Sequence, residues 1–165
     1  MDDKTRKTIG DILATARPKD LVDQFKILLT EVGVAIKPGQ RGKYFLASKE
    51  RQTIFLLAHE SSSQGFWGVL RTHVEELQKT AADHGLTGWG AVLLDGSSKR
   101  GFWVEGSNID RLFGDGVLQF SENNGQYLFL DKELQKIPGF VRYFIGIQDF
   151  LESSGLLERD SRIEL

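Results

Sequence analysis

The sequence predicts an α/β fold on the α+β border: a single domain built on a central mixed β-sheet flanked by helices. Three observations carry that expectation. Apolar residues recur at helical spacing over 21–32 and again over 70–81. Three short strand-like segments lie between the two stretches, and a fourth, WGAVLLDG, follows the second. The chain has 165 residues, 40% hydrophobic and 27% charged, which is enough to bury one substantial core and too apolar for a disordered chain.

Residues 1–17 are charged, with a short apolar patch at Ile9, Ile12 and Leu13, and are expected as a loosely attached segment ahead of the domain, which runs over 18–155. After Pro18, the residues Leu21, Phe25, Leu28 and Val32 mark an amphipathic helix, widened by Val22 and Leu29 and stopped by Gly33. The strands expected next are 34–37, 43–48 and 53–59, the last two joined by the solvated tetrad Lys49-Glu50-Arg51-Gln52. The third is apolar throughout, as a strand covered on both faces must be, so it belongs in the middle of the sheet.

Thr72-His73-Val74-Glu75 has capping-box spacing at the start of the second helix. Leu70, Val74, Leu77 and Ala81 form its stripe, Gly85 ends it, and His84 stands at its negative end. Residues 89–96 read as a buried strand and 101–106 as its neighbour; Asn108 is placed to cap a short helix through Phe113. Strands over 117–120 and 127–130 flank Asn124-Gly125, a two-residue hairpin signal. Phe140, Phe144, Ile147 and Leu151 mark a closing helix ended by Gly155, and residues 156–165 are expected as a charged, frayed tail.

Composition narrows the function. The formal charge of −2 argues against a whole-surface basic field for nucleic acid, leaving only a local patch. There is no cysteine, hence no disulfide framework and no thiolate metal site. The longest apolar run, 54–58, is far too short for a membrane span, and the N-terminus has no apolar signal core; a cytoplasmic protein is expected.

From Leu21 to Asp95 the order is helix, strand, strand, strand, helix, strand. That order resembles the core of the restriction-endonuclease-like, or PD-(D/E)xK, superfamily over about 75 residues. The resemblance implies a nuclease-like topology and a place in a DNA-processing or defence system. It also implies a metal site: an acid near the second strand and Glu-x-Lys on the third, holding Mg²⁺ or Mn²⁺ to orient a water for phosphodiester attack. The sequence departs from that pattern where it matters. KYFLAS contains no acid, and TIFLLAH contains neither acid nor lysine. Glu31 matches an accessory acid but alone makes no metal site. On this resemblance the catalytic centre is gone.

Other motifs also have plainer readings. His59-Glu60-Ser61-Ser62-Ser63 offers a base and a nucleophile, but strand neighbours point to opposite faces and no Gly-x-Ser-x-Gly elbow is present; a strand end running into a polar loop is the favoured reading. Asp95 and Glu105 each end a strand of one hairpin and are candidates to share a cation, though no Glu-x-Lys follows and plain turn and surface acids are the favoured reading. DGSSKRG can hold phosphate through turn amides, Lys99 and Arg100, yet lacks P-loop spacing, and GLTGWG precedes a strand, unlike a dinucleotide loop. His73 and His84 lack a third ligand for zinc.

Lys37, Arg41, Lys43, Lys49 and Arg51 cluster with Tyr44 and Phe45, as in a patch that follows a phosphate backbone; edge-strand protection explains the same charges. Phe66, Trp67, Trp89, Phe102 and Trp103 read mainly as core and rim aromatics, with Trp67 and Trp103 partner-site candidates if exposed. The function expected is a non-catalytic binding or assembly module, without a cofactor, whose partner is a protein or nucleic acid. The alternative is a metal-dependent nuclease or phosphoesterase with an unorthodox Mg²⁺ or Mn²⁺ site at Asp95 and Glu105.

Overall fold

The three-stranded meander expected between the first two helices is formed, and it leads into a larger sheet. A computed structural model of the chain describes residues 20–38, 44–49, 51–59, 66–86, 88–114, 120–130, 134 and 141–157. The expected N-terminal segment 1–17 lies outside them. Helix α1 is Asp20–Glu31, followed by β1 (Ala35–Pro38), β2 (Tyr44–Ser48) and β3 (Gln52–His59). Then come β4 (Phe66–Leu70), α2 (Arg71–Asp83), β5 (Gly88–Leu94), β6 (Arg100–Glu105) and α3 (Gly106–Gly114). The chain continues through β7 (Phe120–Ser121), β8 (Gln126–Leu130), β9 (Val141–Ile145) and α4 (Ile147–Ser154).

Six strands form a mixed sheet in the order β1-β2-β3-β5-β6-β9, in which β3 and β5 are parallel and every other pair is antiparallel. The apolar third strand is central, between β2 and β5, as its composition requires. A smaller sheet has the order β4-β8-β7.

Alternation along the strands sorts the core into two layers. Ile54, Leu93, Phe102 and Val104 face the small sheet and α2, where they meet Trp67, Phe129, Val74 and Leu77. Phe55, Val92, Leu94 and Trp103 face α1 and α4, where they meet Phe25, Leu29, Phe150 and Leu151. The second layer is a phenylalanine cluster: Phe25 lies 5.0 Å from Phe150 and 6.5 Å from Phe55 between ring centres, both edge-on.

Several elements differ from the sequence reading. Residues 66–70, whose Leu70 was assigned to the helix, form β4. The helix then starts at Arg71, so Thr72 is inside it and the capping box is not used; Leu70 occupies the cap position without a side-chain bond. The Arg71 amide instead donates to the Gly125 carbonyl at 2.9 Å, so a neighbouring hairpin does the capping. Asn108 likewise lies within α3, which starts at Gly106. That hairpin pairs Ser121 with Gln126, enclosing four residues rather than the two of an Asn-Gly turn. The closing helix is half strand: 141–145 complete the sheet as β9, and α4 begins only after Gly146. Phe144 is fully buried in either geometry, which is why one periodicity imitated the other. The tail expected from 156 starts inside the core, with Leu156 and Leu157 buried and the Leu157 amide bonded to the Leu151 carbonyl at 3.0 Å; residues 158–165 lie outside the described residues.

Candidate functional site

An antiparallel hairpin decides the fate of the two acids. Asp95 donates its amide to the Arg100 carbonyl at the turn, whereas Glu105 pairs with Gly90 at the far end. Five residue steps, about 17 Å, separate them along the strands. The expectation that they share a cation is therefore corrected: residues that each end a strand of one hairpin lie at opposite ends of it. Asp95 is instead bound into the turn. Tyr143 donates its hydroxyl to Oδ2 at 2.6 Å, and Arg100 Nε stands 3.9 Å from Oδ1. Ser97 Oγ accepts from the Lys99 amide at 3.0 Å, so DGSSKR is a self-bonded turn. Among the described residues no group of three or more His, Asp or Glu is placed to hold a metal ion.

The two tryptophans are core residues, which corrects their reading as partner anchors. Trp67 is 0% and Trp103 4% exposed. Trp67 donates its indole N–H to the Leu94 carbonyl at 2.9 Å and packs edge-on against Phe102. A single buried acceptor satisfies the one polar atom of that side chain. Trp103 packs against Phe150 on the opposite face.

Of the basic set, Lys37, Lys49 and Arg51 are exposed, and Arg41 and Lys43 lie outside the described residues. Lys37 is on the edge strand β1. Lys49 donates to the Val32 carbonyl at 3.1 Å, at the end of α1. The serines after His59 also lie outside the described residues.

A cavity of about 560 Å³ opens at the end of the sheet where β3 and β5 begin and β6 ends. Its volume is in the range of small-molecule sites. Strand pairing explains why it exists. Gly88 and Gly90 lie on the face of β5 that also carries Val92 and Leu94, level with Thr53 and Phe55 of β3. Two side chains are thus missing from the floor of the sheet beneath α4. A Cβ at Gly88 would meet Thr53 Oγ1 at 2.6 Å, and one at Gly90 would meet the Trp103 ring at 3.0 Å and press on the Val104 carbonyl. The Trp103 indole reaches over the space that Gly90 leaves. Glu105, two residues along β6 and opposite Gly90, stands on the same face.

The walls are helix ends. Gly85 and Gly155, both left-handed at φ 65° and 79°, terminate α2 and α4 and both line the cavity. Glu152 and Ser153 line it from the last turn of α4, and Ser153 Oγ is buried there without a hydrogen-bond partner. Arg51 lines it from the β2–β3 turn, with Nη1 3.8 Å from the position a Gly155 Cβ would take. Sequence reasoning assigned Arg51 to the basic patch and set the glycines of GLTGWG aside as a failed dinucleotide loop. The signal it missed was glycine at alternate positions of a strand, which strips one face.

No family model matches this chain, and no curated protein matches it. The cavity therefore has to be read from its own chemistry, which among the described residues comprises two carboxylates, one guanidinium, two indoles, an unpartnered hydroxyl and two helix C-termini. It offers groups that hold a ligand. It contains no base aligned on a nucleophile.

Proposed function

We infer that the protein is a non-catalytic binding module built on a nuclease-like sheet, serving a DNA-processing or defence system. The observation that carries the binding reading is the glycine-floored cavity, which is ligand-sized and lined by fixed polar and aromatic groups. The nuclease-like part is supported by the element order: α1, the β1–β2–β3 meander, then α2 leading to a fourth strand parallel to the third, with β4 interposed. The part that concerns loss of catalysis is supported by β2 and β3, whose sequences supply no acid, and by the separation of Asp95 from Glu105.

The test is incubation of the purified protein with labelled DNA and RNA in Mg²⁺ or Mn²⁺. No cleavage is expected. Cleavage that disappears in Asp95→Ala or Glu105→Ala would overturn the reading. The same labelled strands, titrated at low salt, test the phosphate-contact role of Lys37, Arg41, Lys43, Lys49 and Arg51. Binding there should fall steeply with salt, and Arg41→Ala with Lys43→Ala should flatten the salt slope by about two units. Absence of binding to either strand type leaves a protein or small ligand as the partner.

A further inference from the structure

The cavity at the sheet base carries a sign. Among the described residues, Glu105 and Glu152 line it with a single cation, Arg51, so these side chains sum to one negative charge. The C-terminal ends of α2 and α4 both border it, and each helix end contributes about half a negative charge from its last carbonyls. Arg51 lies against Gly155, at the end of α4, where a guanidinium is favoured. The α2 end and Glu105 lie on other walls, and Glu105 has no ion pair among the described residues. The half-buried Trp89 indole also lines the cavity and packs over Gly106, the neighbour of Glu105.

We propose that this cavity binds a guanidinium group, presented either by a small molecule or by an arginine side chain of a peptide. An aromatic face beside a carboxylate is the arrangement that attracts organic cations. A guanidinium fits better than an ammonium for three reasons. It is planar and stacks on indole; it is weakly hydrated, so entering a half-enclosed cavity costs less; and its five N–H donors match carboxylate and helix-end carbonyl acceptors. Ser153 Oγ, buried and unpartnered at the wall, gives one further acceptor. Gly88, which lines the cavity, supplies room.

This deepens the binding-module reading and rests on it, but the two fail separately: cleavage of nucleic acid would overturn that reading, while the titrations below judge the ligand class alone. Agmatine serves as the free guanidinium and acetyl-Gly-Arg-Gly-amide as the peptide-borne one. The peptide with citrulline replacing arginine is the neutral control. Each is titrated into the 165-residue protein while tryptophan fluorescence is followed, since Trp89 and Trp103 line the cavity. Saturable binding of agmatine, of the peptide or of both is expected, none with the citrulline peptide, and weakening by about tenfold or more in Glu105→Gln. Preference for agmatine assigns a small molecule; preference for the peptide assigns a protein partner. Gly88→Ala, which puts a methyl group on the floor, should weaken the same ligand, its fold being checked by circular dichroism. No saturable binding of either cation, equal binding of the citrulline peptide, or unchanged affinity in Glu105→Gln would overturn the proposal.

Discussion

The β5–β6 hairpin carries one acid at each end, and the two ends are built differently. At the turn, Asp95 is held by Tyr143 and Arg100, and the neighbouring Leu94 carbonyl is taken by Trp67 from the second sheet. At the other end, Glu105 stands exposed beside a strand whose facing positions are glycine. The residue type is nearly the same; the neighbours are not. Bulky side chains from β9 and β4 fill the turn end and convert its acid into a structural part. At the base, Gly88 lines the cavity without a side chain, and Trp103 packs over Gly90. An acid at a strand end thus says little about function until the packing around it is known.

The comparison is broken most severely through Trp67. If the turn end is structural, Trp67→Ala should cost about 3–5 kcal/mol, because a fully buried indole leaves both a cavity and an unpaired carbonyl. Urea denaturation measures it. A cost below about 1 kcal/mol would return Trp67 to the partner-site reading. At the base, Gly90→Ala should cost about 1–3 kcal/mol, since its methyl group presses on Trp103 and on the Val104 carbonyl. An unchanged urea midpoint would mean that the floor has room to spare. Next in size is Tyr143→Phe, which removes the hydroxyl from Asp95 Oδ2 and should cost about 0.5–1.5 kcal/mol by the same measurement.

The parts of this architecture legible in the sequence are those set by local pattern. The α1 stripe, the β1–β2–β3 meander, the central place of β3 and the glycine stops at 33, 85 and 155 all follow from spacing or turn chemistry. What was missed depends on contacts distant in sequence. β4 has an apolar pattern shared with a helix start, and its identity comes from pairing with β8, some sixty residues on. The cap of α2 is a carbonyl from the same distant hairpin. β9 and α4 fused into one expected helix because Phe144, Ile147 and Leu151 also satisfy helical spacing; pairing with β6 chose otherwise. The cavity was the least legible part. Its elements lie on β3, β5, β6, α2 and α4, and its floor consists of atoms that are not there. The error over Asp95 and Glu105 was of another kind: antiparallel register alone separates them, and that register follows from the short GSSKR turn.

The smallest expected effect gives the finest test of the contrast. Glu105→Gln keeps size and shape and removes one charge from an exposed position, so its stability should change by no more than about 0.5 kcal/mol. The sign can be argued as well. The carboxylate shares its cavity with the C-terminal ends of α2 and α4, where negative charge is unfavourable, and with Glu152. Arg51 on the same wall offsets part of that repulsion. Removing the charge should therefore leave the protein unchanged or stabilise it by a few tenths of a kcal/mol, about the scale of an exposed charge at a helix end. Because the group is solvated, any gain should shrink as salt rises toward about 1 M, where the screening length falls to about 3 Å. Urea melts of the variant and the parent protein at low and high NaCl measure both the sign and the salt dependence. A loss above about 1 kcal/mol would show that Glu105 is held by a partner as Asp95 is, and the two ends of the hairpin would then be alike. A small gain that salt removes would mark Glu105 as a charge kept at a cost to the fold, which is what a ligand-facing carboxylate requires.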